Sequence, residues 1–183
     1  MRWTRLFADV EAQLDEADRL ELEGEVADRI RSERKTVQLV DRLRLAGGNT
    51  LDVRVAGAGI VRGVLHHAGS DWFMLDGESG GELLVPLAAA LVVSGAGTKA
   101  AVAVEGRPVI WSMGLRYALS VISRDRSHVH LTLTDGSALA GTIDVVGADF
   151  IDLTPRSPEE RRGPRHDAAA SVSFGGIAVI RRT

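Results

Sequence analysis

The chain contains no cysteine. Disulfides, thiolate zinc sites and cysteine nucleophiles are therefore excluded. Net positive charge is lacking as well. The formal charge over 183 residues is −3, so no bulk field draws the whole molecule to nucleic acid or anionic lipid. Only Lys35 and Lys99 are lysines among the 22 basic residues, and the remainder are arginines. Long apolar runs are missing too: the longest, Leu83–Val93, falls far short of the ~20 residues a membrane span needs. The N-terminal stretch MRWTRLFADVEAQLDEADRL carries acids every few residues and has no signal-peptide apolar core, so we expect a soluble, cytoplasmic protein. No Gly-x-Ser-x-Gly elbow and no P-loop occurs, and Gly57-Ala58-Gly59 lacks the strand–helix setting of a dinucleotide fingerprint. The expectation is a protein that is not an enzyme and takes no cofactor.

What the chain does contain is a statement made twice. Residues 51–75, LDVRVAGAGIVRGVLHHAGSDWFML, align without a gap on residues 129–153, VHLTLTDGSALAGTIDVVGADFIDL, at a separation of 78 positions. Gly63 falls on Gly141, Gly69 on Gly147 and Asp71 on Asp149. The apolar positions coincide at Leu51/Val129, Val53/Leu131, Val55/Leu133, Val61/Leu139, Leu65/Ile143, Phe73/Ile151 and Leu75/Leu153. Further on, Val85/Val172, Leu87/Phe174 and Val92/Val179 match at a separation of 87, because the second copy carries a longer loop.

Periodicity divides the chain. Residues 1–46 have helical spacing: Trp3, Leu6, Phe7, Val10, Leu14, Ala17 and Leu20 form one apolar stripe, read either as docking within the chain or as a coiled-coil seam. Acid–base pairs such as Asp15–Arg19 and Glu25–Arg29 sit four residues apart, where helix neighbours meet. Residues 47–95 switch to period two, with short strands at Leu51–Val55, Ile60–His67, Trp72–Asp76, Leu83–Leu87 and Ala90–Val93. Residues 96–113 read as a linker in which Val102–Val104 and Val109–Trp111 add a strand. Residues 114–183 repeat the pattern: a short helix at 114–124, then strands separated by the Asp135-Gly136 hairpin turn and by a loop of about fifteen residues. Val37–Leu45 plays the part of that short helix before the first copy. The expected architecture is α+β: an N-terminal helical segment followed by two tandem five-stranded SH3/Sm-like β-barrels, each preceded by a short helix. Closure into barrels would leave no exposed strand edges.

Leu131-Thr132-Leu133-Thr134-Asp135-Gly136 followed by Gly141-Thr142-Ile143-Asp144, with Phe174-Gly175-Gly176-Ile177-Ala178-Val179-Ile180 later, resembles the two signatures of the Sm-like fold. The likeness is shared with other SH3-like barrels, and it is weaker over residues 37–95 than over 114–183. The chain also resembles a group of uncharacterised actinobacterial proteins, some described as Fis-type transcriptional regulators; no helix-turn-helix pattern supports that description. In RNA-binding Sm proteins an asparagine follows the turn aspartate. Here the turns read Asp71-Trp72-Phe73-Met74 and Asp149-Phe150-Ile151-Asp152, and the basic position before the closing glycine is Ala88 or Gly175. The oligouridine pocket of that family is not carried over. Trp72 and Phe150 are read as core, with base stacking as the alternative.

Candidate chemistry is sparse. His66 and His67 are adjacent on a strand and are expected to face opposite sides. His128 and His130 share a face, as two zinc ligands would, but no third ligand is evident. Gly63, Gly69, Asp71, Gly141, Gly147 and Asp149 are assigned structural roles, the glycines in strand bends and positive-φ turns and the aspartates as acceptors of turn amides. Arg124, Arg126, Arg156, Arg161, Arg162, Arg165, Arg181 and Arg182 are the candidate nucleic-acid contacts, if they converge. The function expected is a non-catalytic binding module associated with RNA or nucleoprotein. The alternatives are a protein-interaction or self-assembly adaptor that engages a protein partner through its N-terminal helix or a strand edge, and a transcriptional regulator.

Overall fold

The computed structural model describes residues 35–78, 80–100, 108–155 and 170–182. The stripe from Trp3 to Leu20, the strand expected at Val102–Val104, and Arg156, Arg161, Arg162 and Arg165 lie outside the described residues. Gln38–Thr183 is one compact unit. Helix α1 (Leu39–Leu45) precedes strands β1 (Thr50–Val55), β2 (Gly59–Ala68), β3 (Trp72–Gly77), β4 (Glu82–Pro86) and β5 (Ala90–Ser94). Helix α2 (Leu115–Arg124) precedes β6 (His128–Leu133), β7 (Ala138–Val146), β8 (Phe150–Thr154), β9 (Ala170–Ser173) and β10 (Ile177–Arg182). Val109–Trp111, expected to add a strand, lies instead in a 3₁₀ turn (Val109–Ser112) introduced by Pro108, which cannot donate to a sheet ladder. No helix among the described residues is long and apolar enough to cross a membrane.

The ten strands form one continuous antiparallel sheet in the order β5-β1-β2-β3-β4-β10-β6-β7-β8-β9. This corrects the expectation of two tandem five-stranded barrels. The physical reason lies in β10, which is hydrogen-bonded to β6 on one side and to β4 on the other. Its run Ile177-Ala178-Val179-Ile180 is buried throughout. Ile177 and Ile180 belong to a core with Leu119, Val129, Leu131, Ile143, Ile151 and Leu153. Ala178 and Val179 belong to another, with Leu51, Val53, Phe73, Leu75, Leu83 and Val85. A strand apolar on both faces is stable only when both are covered, so β10 fastens the two halves to each other.

Within that sheet the repeat is reproduced in detail. Leu51 pairs with Gly63 and Val129 with Gly141. A bulge falls between Leu65 and His67 in β2 and between Ile143 and Val145 in β7. The amide of Gly69 donates to the carbonyl of Trp72, and that of Gly147 to Phe150, each at 2.8 Å. Gly63 and Gly141 sit mid-strand, and neither has a positive φ. Glycine is required there by close approach: a Cβ on Gly63 would meet the Asp76 carbonyl oxygen at 2.5 Å, and one on Gly141 would run into that of Thr154. Gly69 and Gly147, expected in positive-φ turns, have no positive φ either; glycine there leaves room for the rings of Trp72 and Phe150.

Beside the first of these glycines, Asp52 on β1 pairs across the strands with Arg62 on β2, whose Nε and Nη2 donate to its two carboxylate oxygens. The Arg62 hydrogen bonds, aided by its charge, hold the Asp52 carboxyl below its ordinary value of 3.8. A depressed carboxylate stabilises the fold fully above its unfolded value of about 3.9, and the effect is lost as pH falls through the folded value. An NMR titration of the Asp52 carboxyl is expected to give a midpoint under 3.8, restored to the ordinary value by Arg62→Ala. Gly63→Ala and Gly141→Ala should each destabilise the protein by roughly 1–3 kcal/mol in urea unfolding through overpacking. Gly175→Ala, where a Cβ meets nothing within 4 Å, should change stability by less than about 0.5 kcal/mol.

Candidate interaction surface

Two of the contacts at the junction between the repeated halves bear on its strand edges and helix ends. The first is the pairing of β4 with β10, with Leu84 opposite Ile180 and Leu83 opposite Arg181. The second is the grip of the β2–β3 turn on the chain entering α2. The Ser70 amide and the Trp72 indole Nε1 both donate to the Met113 carbonyl, at 3.0 and 2.9 Å. The Asp71 carboxylate accepts the Leu115 amide at 2.7 Å. Leu115 is the first residue of α2, and the N-cap Gly114 offers no side chain of its own. Asp71 therefore supplies from a distant turn the capping acceptor and the negative charge that a helix N-terminus favours. Arg44 of α1 steadies the approach: its Nη2 donates to the carbonyls of Gly69 and Trp111 at 3.0 and 2.6 Å, and its guanidinium lies 5.4 Å from the Trp111 ring centroid.

The equivalents of these junction groups have no such partners among the described residues. Asp149 occupies the position of Asp71, and its backbone carbonyl accepts the Phe174 amide just as that of Asp71 accepts Leu87, both at 2.8 Å. Its carboxylate, however, is exposed and bonded to none of the described residues. Strand β9, the equivalent of β4, ends the sheet on one side. Strand β5, the equivalent of β10, ends it on the other. Leu91 and Val92 of β5 are 62% and 49% exposed, whereas Ala178 and Val179, their counterparts in β10, are 0% and 5% exposed. Neither edge strand, ALVVS or ASVS, contains a charge or a proline.

Of the arginines expected to contact nucleic acid, Arg124 ends α2, Arg126 follows it in the left-handed region at φ 49°, and Arg181 and Arg182 lie at the end of β10. Arg182 is drawn to Asp125, between Arg124 and Arg126, with Nη2 at 2.6 Å from the carboxylate, and its Nη1 lies 3.5 Å from Glu82. Two acids thus offset the charge of Arg182, the one of these arginines drawn to them among the described residues. The β2 bulge brings the rings of His66 and His67 to 4.5 Å, edge to face, instead of placing them on opposite sides of the sheet. His128 and His130 share a face at 5.2 Å, and no cluster of three metal-ligating side chains occurs among the described residues. Trp72 is 4% exposed and part of the core, while Phe150 is half-buried. An apolar cleft of about 330 Å³ opens beside α2, between Tyr117 and Val121 on the helix and Met74 and Leu84 on the sheet.

Leu91, Val92 and the Met113 carbonyl were not picked out by sequence reasoning. The signal for the first two was present, in the alignment of Val92 with Val179, but exposure is a property of the assembled sheet. Asp71→Ala should cost roughly 1–2 kcal/mol in thermal or urea unfolding, the range for loss of a helix cap. The matched Asp149→Ala is expected to fall within about 0.5 kcal/mol of the parent chain.

No family model, no curated protein and no solved structure matches this chain.

Proposed function

We propose that the protein is a non-catalytic protein-interaction module that engages its partner by adding a strand to an open edge of its sheet. The observation that carries this reading is the edge strand β5. It is uncharged and lacks proline, and it holds Leu91 and Val92 62% and 49% exposed. Natural sheets often blunt their edges with lysine or proline, and β5 has neither; its bulge at Leu91 recurs at Ala178 of β10, a strand that is paired on both sides. Main-chain hydrogen bonds along such an edge supply affinity, and side-chain contacts on alternate faces supply specificity.

The approach of Arg182 to Asp125, which Arg124 and Arg126 flank in sequence, favours a second reading, association with RNA through phosphate contacts. One experiment separates the two. The full-length chain, immobilised and exposed to native cell extract with and without nuclease, is compared with Val92→Lys and with an Arg124/Arg126 alanine variant. Strand addition predicts a retained protein set that survives nuclease and is lost with Val92→Lys. Retention abolished by nuclease and by the arginine variant, with Val92→Lys unaffected, would instead establish the RNA reading.

A further inference from the structure

We infer that the partner at the open edge is a second copy of the same chain, joined head to tail with β5 of one molecule against β9 of the next. This rests on the strand-addition reading above and names its occupant. The molecule already contains one example of this junction. Within the chain, the fifth strand of the second repeat, β10, pairs with the fourth strand of the first, β4. The unused counterparts are the fifth strand of the first repeat, β5, and the fourth strand of the second, β9, and these end the sheet on opposite sides. A heterologous joint of this kind leaves one of each edge free at the ends of a dimer, so it propagates until it closes into a ring or continues as a filament.

The counterpart strands match in register as well as in order. β5 meets β1 with Ala90 opposite Val55, Val92 opposite Arg54, Val93 opposite Val53 and Ser94 opposite Asp52. β10 meets β6 with Ile177 opposite Leu133, Val179 opposite Thr132, Ile180 opposite Leu131 and Arg181 opposite His130. Leu91 and Ala178, the residues passed over, sit in the same bulge. Both strands therefore turn the same pair of side chains away from their own core. In β10 that pair, Ala178 and Val179, is buried in the core of the other repeat. In β5 the pair is Leu91 and Val92, and it is exposed. Transferred to a neighbouring molecule in the same geometry, Leu91 and Val92 enter the core that contains Ile151 and Val172, with Leu139 and Phe174 partly buried at its edge. Volume is conserved across the exchange. Leu91 is larger than Ala178, while Ala170 on the receiving strand is smaller than its counterpart Leu83, and cores tolerate volume-conserving exchange best. The exposed Asp149 turn lies on the receiving repeat, in the position from which Asp71 grips the internal junction.

The pairing Arg181 opposite Leu83 translates into Ser94 of one molecule opposite Ala170 of the next. Both are small, and the chain has no cysteine of its own, so disulfide trapping reads this register directly. Antiparallel partners bring Cα atoms to about 4.5–5.5 Å, within disulfide range. Full-length Ser94→Cys and Ala170→Cys chains are mixed under mild oxidation, and masses are followed by light scattering over a concentration series without oxidant. The expected result is a mixed disulfide joining the substituted positions 94 and 170 of different molecules, together with concentration-dependent masses at multiples of the monomer. Val92→Lys should abolish both with unchanged circular dichroism, weakening association at least ~100-fold through a buried unpaired charge. A product joining two molecules through position 94 of each, an intramolecular bond in the doubly substituted chain, or a monomer with no mixed disulfide at the highest concentration overturns the inference. In that last case, a foreign protein still captured by the parent chain and lost with Val92→Lys leaves the strand-addition reading standing. Capture insensitive to Val92→Lys removes that reading as well.

Discussion

Everything else in the fold depends on one strand having no exposed side. Along Ile177–Ile180 the side chains of β10 divide between two hydrophobic cores, while its backbone hydrogen-bonds to β6 and to β4. A strand in the middle of a half-solvated antiparallel sheet alternates apolar and polar residues. Here four successive apolar residues are buried, because each face meets a different repeat. Removing either repeat would expose two of those side chains to water, at about 25 cal/mol for each Å² of apolar surface uncovered. The halves are therefore coupled through a shared element, which is why ten strands form one sheet.

Duplication does not give the two copies the same work. The turns Gly69–Trp72 and Gly147–Phe150 share a hydrogen bond, a ring packed against glycine and an aspartate whose carbonyl receives the following 3₁₀ turn. Among the described residues, only the first has a helix N-terminus within reach of its carboxylate. Position in the sheet thus decides whether an identical local structure becomes a capping contact or an exposed charge. The same holds for the closing strands: their bulges and registers coincide, yet one is the centre of the molecule and the other its border. In a structure made of repeats, the contacts between repeats carry the information that the repeats themselves lack.

The nucleic-acid reading illustrates how far charge counting goes. Eight arginines were singled out by sequence, and four of them, at Arg124, Arg126, Arg181 and Arg182, fall within the described residues. The approach of Arg182 to Asp125 required tertiary structure, because Arg182 is contributed by the last strand and Asp125 by the end of a helix. Acids at the same spot change the field that a list of arginines implies. The histidine pair at His66–His67 shows the same gap: strand alternation puts neighbours on opposite faces, but a bulge defeats that alternation locally, and no single-residue pattern announces it.

Local order within the two repeats was legible in the residues alone: the strand stretches, the turns between them, and the shared conformation of residues 51–75 and 129–153, though not the 3₁₀ turn at Val109–Ser112. Alternation with period two and glycines placed against neighbouring backbone are short-range constraints, and a linear reading captures them. Only the tertiary structure decided how the strand edges are used. Whether a row of amides closes on its own repeat, pairs with the other repeat or stays open depends on which apolar faces are covered at the same time. Ala178 and Val179 are indistinguishable in sequence pattern from Leu91 and Val92. One pair is buried and the other exposed because, among the described residues, one fifth strand pairs with the other repeat and the other borders the sheet.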